Sequence, residues 1–437
     1  MASLSVLGAL VAVPWNAAAA AQARAATDLP LPRPFVTVVG SIHSSTPPTI
    51  ADCEVTYGVS CYGPPQFHVA YDMNSLYKAG DEGEGETIAL VDAFGSPTIS
   101  SDLKAFDTGY GLPAPPSFKI ITPEGRPTGS NTSWATETSL DVEYAHAMAA
   151  DANILLVETP VNETIGTTGF PQIVAAEKYV IEHKLAEVIS QSFGAAEHTF
   201  PSSKSIMGLR GAYKLAQKDG VTVLASSGDQ GVSSASNAAG TQYFTTRVVN
   251  WPASDPLVTG VGGTQLHLTQ AGVRTAPDNV WNDTTLLGEP AAGGGGVSSV
   301  FSRPSFQASV SSVVGAQRGV PDIALSAAVE GSAVIYYDGS WTIVGGTSEA
   351  SPLFSGIVAI ADQVAGKNLG NLNPALYALG SGAAGLPDIT KGNNTVSFTQ
   401  GGTTHTVTGY TAVAGYDLAS GLGTVDGAKL VAELAGS

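Results

Sequence analysis

The stretch Thr87-Ile88-Ala89-Leu90-Val91-Asp92 reads as a short strand with no polar face until its last residue. A strand apolar on both sides must be covered on both sides, as in a parallel sheet packed between helices. The chain that follows repeats the design. Helical periodicity runs over Thr136–Ala150, and Asn153–Val157 (NILLV) is again an apolar strand. Pro171–His183 reads as a helix, Ala186–Ser192 (AEVISQS) as a strand, Ser203–Lys218 as a helix and Val221–Ser226 (VTVLAS) as a strand. This alternation predicts an α/β architecture in three layers, with a mostly parallel central sheet and helices on both faces. In such sheets chemistry gathers at the carboxyl ends of the strands. Those ends carry Asp92, Ser192-Phe193-Gly194 and Ser226-Ser227-Gly228-Asp229.

With 437 residues, 43% of them hydrophobic, the chain can bury a large core, as one large domain or two smaller ones. Its 37 acidic residues against 19 basic ones leave a net charge of −18, which argues against nucleic acid and anionic membrane as partners. Leu4–Trp15 is apolar but too short to span a bilayer. With the small residues up to Ala25, it reads as a secretory signal over residues 1–25 that lacks a basic lead-in. Cys53 and Cys61 are the only cysteines, and they could close a disulfide loop within a Pro- and Ser-rich N-terminal arm, residues 26–70. Export and a paired cysteine count agree. The expectation is a secreted monomer with no membrane insertion.

Three segments carry chemistry. Gly345-Gly346-Thr347-Ser348-Glu349-Ala350-Ser351-Pro352 sets a serine between a glycine turn and an apolar helix, Leu353–Ala365. A helix start leaves backbone N–H groups free beside the hydroxyl, which suits a nucleophile that must tolerate an oxyanion. An N-capping serine would look the same. A serine nucleophile at neutral pH ordinarily uses a histidine base. None of His43, His68, His146, His183, His198, His267 and His405 lies in a His-Gly-Thr context opening a helix. Glu137 and Asp141 lie four residues apart, so on a helix they share a face, with Cβ atoms roughly 5–6 Å apart. Such a pair can hold one proton between them and serve as a base at acidic pH, although acidic residues in a first helical turn are also ordinary dipole partners. Asp229, directly after a strand, could donate to an oxyanion if protonated, or simply shape a turn.

Taken together, Glu137-x-x-x-Asp141, Ser226-Ser227-Gly228-Asp229 and Gly346-Thr347-Ser348 with Pro352, in that order, resemble the sedolisin family of serine-carboxyl peptidases. Flanking segments agree, among them Ser190–Gly194, Trp251–Ser254, Gly293–Ser298 and Arg318–Asp322, so the likeness runs from about Tyr71 to Thr424. The resemblance implies a subtilisin-like fold over residues 71–437. It implies that Ser348 is the nucleophile and Glu137 its base. Asp141 would support Glu137, and protonated Asp229 would complete the oxyanion hole with the Ser348 N–H. Asp92 occupies a strand end where related enzymes extend the carboxylate network. Phe193 stands where some relatives have tryptophan, so a network through an indole N–H is lost. Ser192, Phe193 and Gly194 would offer backbone groups to an extended polypeptide substrate. Near the C-terminus, residues 388–423 resemble the family's calcium loops. One structural Ca²⁺ would take the carboxylates of Asp388 and Asp417 and the carbonyls of Ile389, Val413 and Gly415.

The expected function is therefore a secreted serine-carboxyl endopeptidase, active at acidic pH through an acyl-enzyme on Ser348. Two alternatives are a conventional subtilisin-type protease using Asp92, a histidine and Ser348, and an inactive secreted binding protein on a peptidase scaffold. Family members usually carry a long prosegment. Between residues 25 and 71 there is room only for a short arm, which leaves activation open.

Overall fold

The computed structural model describes residues 33–160, 169–237 and 240–436. The expected export signal, residues 1–25, lies outside the described residues. In chain order the strands are β1 (Arg33–Pro34), β2 (Thr37–Ile42), β3 (Cys61–Tyr62), β4 (Thr87–Ala93), β5 (Phe118–Ile121) and β6 (Asn153–Thr159). They continue with β7 (Val188–Gln191), β8 (Phe193–Ala196), β9 (Thr222–Ser226), β10 (Asn250–Trp251), β11 (Thr259–Gln265) and β12 (Asn279–Val280). Then come β13 (Gly296–Ser302), β14 (Gln317–Val320), β15 (Ile323–Ser326), β16 (Ser332–Tyr337), β17 (Ser340–Gly345), β18 (Val396–Gln400) and β19 (Thr403–Val407).

The central sheet has eight strands in the order β12-β11-β9-β7-β4-β6-β5, with β15 also paired to β11. Every pairing in it is parallel except β11 with β12. The period-2 geometry of a strand explains why β4 is apolar on both faces from Ile88 to Val91. Ile88 and Leu90 enter one core, with helices Thr132–Met148 and Thr347–Ala365. Ala89, Val91 and Ala93 enter the other, with helices Phe170–Glu182 and Gly211–Asp219. Helices Thr132–Met148 and Thr347–Ala365 approach closely because Gly356 has no side chain. A Cβ there would stand 2.5 Å from the Cβ of Met148. Among the described residues, no helix is long and apolar enough to cross a membrane.

Several boundaries differ from the sequence expectation. The helix expected over Ser203–Lys218 is two helices, Ser203–Leu209 and Gly211–Asp219. Gly208 and Gly211 weaken helix propensity there, and Arg210 at the break is tied to Asp255 by two bonds of 2.6 and 2.8 Å. The helix expected from Thr136 starts at Thr132, because the Asn131 side chain caps it by accepting from the Trp134 N–H at 3.2 Å. The helix expected from Leu353 starts at Thr347, with Pro352 inside it.

The N-terminal arm, expected as an extension, is built into the body from residue 33 onward. β2 pairs with β17 and β3 with β16, forming the four-stranded sheet β2-β17-β16-β3. Cys53 and Cys61 are joined by a disulfide with Cα atoms 5.9 Å apart, and both lie in the core with Tyr62 and Phe67.

Candidate active site

Helix Thr132–Met148 is buried from Trp134 to its end, because the central sheet, helix Thr347–Ala365, helix Ile99–Tyr110 and β16 all pack against it. Glu137 and Asp141 are therefore fully buried, and Asp92 at the end of β4 is buried with them. The Ser192 hydroxyl, just past β7, donates to Asp141 Oδ1 at 2.7 Å. Asp92 and Glu137 accept no hydrogen bond at either carboxylate oxygen among the described residues. No lysine, arginine or histidine among those residues makes an ion pair with any of these groups.

Without cations or many donors, burial dominates their titration. Glu137 is pushed well above the usual carboxylate range by desolvation, then by Asp141, with Asp92 and Asp229 adding and the Ser348 hydroxyl opposing. Asp141 is raised by desolvation and by Asp92, against the Ser192 bond. Asp92 is pushed up to about 7, again by burial first. Four acidic groups that repel one another in a dry site keep protons to unusually high pH.

Asp229 follows β9 and is pushed up to about 8 by burial. Its Oδ1 accepts from both the Thr347 N–H and the Thr347 hydroxyl at 2.8 Å each. The same hydroxyl oxygen accepts from the Gly228 N–H at 3.1 Å. Thr347 thus locks the Asp229 loop to the start of the next helix. That tie was not anticipated, although the Gly-Thr-Ser segment contains it. It leaves Asp229 Oδ2 turned toward Gly346, whose φ of 134° only glycine adopts freely.

Ser348 is the second residue of its helix, so its N–H is one of those with no partner inside the helix. Pro352 lies four residues on and has no N–H to give the Ser348 carbonyl. That carbonyl instead has the Ser192 hydroxyl at 3.3 Å. The Ser348 hydroxyl donates to the Ser192 carbonyl at 3.1 Å.

A piece of the N-terminal arm lies across this serine. β1 pairs antiparallel with β8, Arg33 opposite Gly194 and Pro34 opposite Phe193. The next residue, Phe35, donates its N–H to the Ser192 carbonyl at 3.1 Å and lies 3.0 Å from Ser348 Oγ. The Phe35 carbonyl accepts from the Ser348 N–H at 3.2 Å. A Cβ on Gly346 would stand 2.1 Å from that carbonyl oxygen and 2.5 Å from Asp229 Oδ2. The peptide oxygen, the Ser348 amide and the Asp229 carboxyl thus converge beside the bare Cα of Gly346. Sequence reasoning missed Phe35, because a two-residue strand containing proline leaves no periodic signal.

The structure therefore gathers Asp92, Glu137, Asp141, Asp229 and Ser348 at one place, with the backbone of Ser192, Phe193 and Gly194 along its edge. The Phe193 ring turns away into the apolar layer, against Trp134 at 5.9 Å and Phe170 at 6.4 Å between centroids. The histidines are engaged elsewhere. His43 meets Ser340, His68 the Ala147 carbonyl, His146 the Pro113 carbonyl and His267 Asn279. His183 stacks on Tyr179, His198 lies near Phe244 and His405 near Phe398.

The expected calcium loops come together away from this cluster. Asp388 Oδ2 accepts from the Gly415 N–H at 2.9 Å, and Asp417 Oδ2 from the Val413 N–H at 3.1 Å. The carbonyls of Ile389, Val413 and Gly415 accept no hydrogen bond among the described residues, although Ile389 is buried. Two carboxylates with unpartnered carbonyls make an all-oxygen donor set that fits Ca²⁺. No group of three or more acidic, histidine or cysteine side chains gathers among the described residues, so carbonyls would have to complete any such shell.

Comparison with known proteins places this geometry. No family model matches the chain. Kumamolisin of Bacillus sp. (strain MN-32) is 32% identical over 379 residues, which cover 85% of this chain and 64% of that protein. Sedolisin of Pseudomonas sp. (strain 101) is 32% identical over 375 residues, 85% of this chain and 61% of that protein. The chain thus spans somewhat under two thirds of the length of these relatives. A solved structure of Pseudomonas sedolisin, a serine-carboxyl proteinase complexed with two molecules of pseudo-iodotyrostatin, superposes with a TM-score of 0.73 at 28% identity. That superposition takes in 87% of this chain and 99% of the solved one. Likeness in sequence and fold over the same long span, around one carboxylate-and-serine cluster, has one reading: the chain belongs to the sedolisin family.

Proposed function

We propose that this chain is a serine-carboxyl endopeptidase that hydrolyses extended polypeptides at acidic pH. The observation that carries the reading is the peptide carbonyl of Phe35, set against the Ser348 amide beside Asp229. A substrate laid the same way presents its carbonyl carbon to Ser348 Oγ. The hydroxyl proton turns from the Ser192 carbonyl to Glu137, which Asp141 backs. The oxyanion is held by the Ser348 N–H and by Asp229 as a neutral O–H donor. Glu137 returns the proton to the leaving amine, and water then resolves the acyl-enzyme by the same route in reverse. No histidine is needed, and each is occupied elsewhere. The segment across Ser348 is an internal one, with chain on both sides of it. That supports cleavage within polypeptides rather than from a free amino terminus.

Calcium at Asp388 and Asp417 belongs to the same proposal. It would join the segment around Ile389 to the loop 413–417, holding the C-terminal part of the fold. Excess chelator should then lower Tm by several degrees, and unchanged stability would count against the site. Secretion is proposed too, supported by the apolar start and the disulfide.

The deciding experiment is a pH–rate profile on a denatured protein from about pH 2 to 9, with wild type beside Ser348→Ala and Glu137→Ala. An acid optimum abolished by both changes is expected, with internal fragments in the digest. A neutral optimum that survives Glu137→Ala would overturn the carboxylate base. Release of short N-terminal pieces alone would overturn the endopeptidase mode.

A further inference from the structure

We propose that Glu158 is a positioning residue for the reaction. It forms the solvent-side end of a row of carboxyl groups running through Asp92 and Asp141 to Glu137, and its charge keeps Asp92 neutral so that Glu137 ionises instead. The inference rests on the peptidase reading above and adds a residue that reading does not use.

The row follows from the sheet. Asp92 on β4 and Glu158 on β6 are directly opposed partners in a parallel pair. Side chains alternate between faces along a strand. Ile88 and Leu90 of β4, with Ile154 and Leu156 of β6, enter the core that holds helix Thr132–Met148. Ala89, Val91, Leu155 and Val157 enter the other core. Asp92 and Glu158 continue the first set, so both carboxyl groups leave the sheet on the side of Glu137 and Asp141. The turn after β4 makes room for the outer one. Phe94 and Gly95 are both left-handed, with φ of 62° and 65°, and a Cβ on Gly95 would collide with Glu158 Oε1. A phenylalanine in that region is uncommon, and here it carries the chain around the Glu158 carboxyl.

Burial is graded along the row. Glu137, Asp141 and Asp92 are fully buried, and neither oxygen of Asp92 has a hydrogen-bond partner among the described residues. Glu158 is half-buried and lines an open cleft of about 440 Å³ with Phe94, Ile120, Arg126 and Ser130. Arg126 and Glu158 are the charged residues among those lining it.

The titratable groups facing Glu158 are thus Asp92 from β4 and Arg126 from the loop before the helix, with Asp141 and Glu137 further along the row. Burial raises Glu158, and the Arg126 guanidinium opposes that. Water and Arg126 favour a charge on Glu158 over one on the dry Asp92. Asp92 is raised by burial first, against the Thr138 hydroxyl, and then by Glu158. Asp141 and Glu137, raised first by burial, are raised further by a charge on Asp92. Like charges in one row settle at opposite ends. With one charge at Glu158, the next settles at Glu137, beside the Ser348 hydroxyl it must deprotonate. Without Glu158, Asp92 ionises earlier, close to the pair, and holds the proton on Glu137.

The test measures kcat and KM of the full chain on an internally quenched peptide from about pH 2 to 7. Glu158→Gln should move the acidic limb of kcat/KM up by about 0.5–1 pH unit, a loss of about 3–10-fold below the limb. KM and the plateau kcat should stay within about twofold of wild type. In an Asp92→Asn background the same change should move the limb by less than about a third as much, because its target is gone. Arg126→Gln, an exposed change that leaves the fold intact, should move the limb the same way by about 0.2–0.5 unit and add nothing to Glu158→Gln. A limb that stays put or moves down in Glu158→Gln overturns the inference, as does an equal shift with and without Asp92. A raised KM with an unmoved limb overturns it too, making the cleft a substrate subsite. All three results leave the peptidase reading standing. A wild type without hydrolysis, or a profile untouched by Glu137→Ala, overturns the peptidase reading and this one with it.

Discussion

Asp229 and Glu349 are buried carboxyl groups, one beside the nucleophile's helix and one in its first turn. Burial pushes each up to about 8, whereas in an unfolded chain they titrate near 3.9 and 4.3. For groups shifted upward, the stabilising contribution is complete below the unfolded pKa and is lost as pH rises through the folded one. From about pH 5 to 8 the folded chain therefore holds about two more protons than the unfolded chain at these two sites. Stability falls by about 1.4 kcal/mol per pH unit for each, or roughly 8 kcal/mol over the interval. Water entry and relaxation around a new charge reduce that ceiling, so a loss of about 3–5 kcal/mol is expected. Asp92 and Asp362, pushed up to about 7, act in the same direction. At about 2.1 cal/mol/K per residue, roughly 400 ordered residues give an unfolding entropy near 0.8 kcal/mol/K, so Tm should drop by about 4–6 °C. The assay is thermal unfolding of Ser348→Ala, which cannot digest itself, at closely spaced pH values. Adding Glu349→Gln keeps that site neutral, so it should flatten the slope by about a quarter or less, its share among the raised carboxyls, and leave Tm at acidic pH nearly unchanged. A Tm at pH 8 equal to or above that at pH 5 would refute the reasoning, as would a slope untouched by Glu349→Gln.

Three substitutions probe how the site is held. Ser192→Ala removes the 2.7 Å donor to Asp141, so Asp141 should keep its proton to higher pH. The acidic limb of the kcat/KM profile should move up and kcat should fall roughly tenfold, read from a pH–rate series. Gly346→Ala puts a methyl group 2.1 Å from the position of the substrate carbonyl oxygen. It should cost at least about 10²–10³ in kcat/KM while the protein still melts cooperatively. Gly356→Ala forces the two site helices apart at Met148. A loss of about 1–3 kcal/mol in urea denaturation is expected, with reduced kcat, since Glu137 and Ser348 ride on different helices.

What the sequence disclosed about this site, and what it hid, divides along local and non-local lines. β4, β6 and β9 were legible because strands covered on both faces must be apolar throughout, and their ends point to Asp92 and Asp229. Glu137 and Asp141 were legible as a pair because helix geometry alone puts them on one face. The start of the serine's helix was misread because Pro352 looks like a boundary. Its missing N–H concerns only the Ser348 carbonyl, which Ser192 meets from another element. The Ser192 hydroxyl, the Thr347 clamp and the arm's pairing with β17 leave no local trace, since each partner is far along the chain. Phe35 is the extreme case. Beside proline, in a strand of two residues, nothing local separates it from a disordered arm. Its meaning comes from the Ser348 amide 313 residues away. Local patterns thus supplied the reacting groups, and the long-range contacts supplied what holds them and what they hold. A family resemblance can therefore find the nucleophile and its base while missing the bond laid across them.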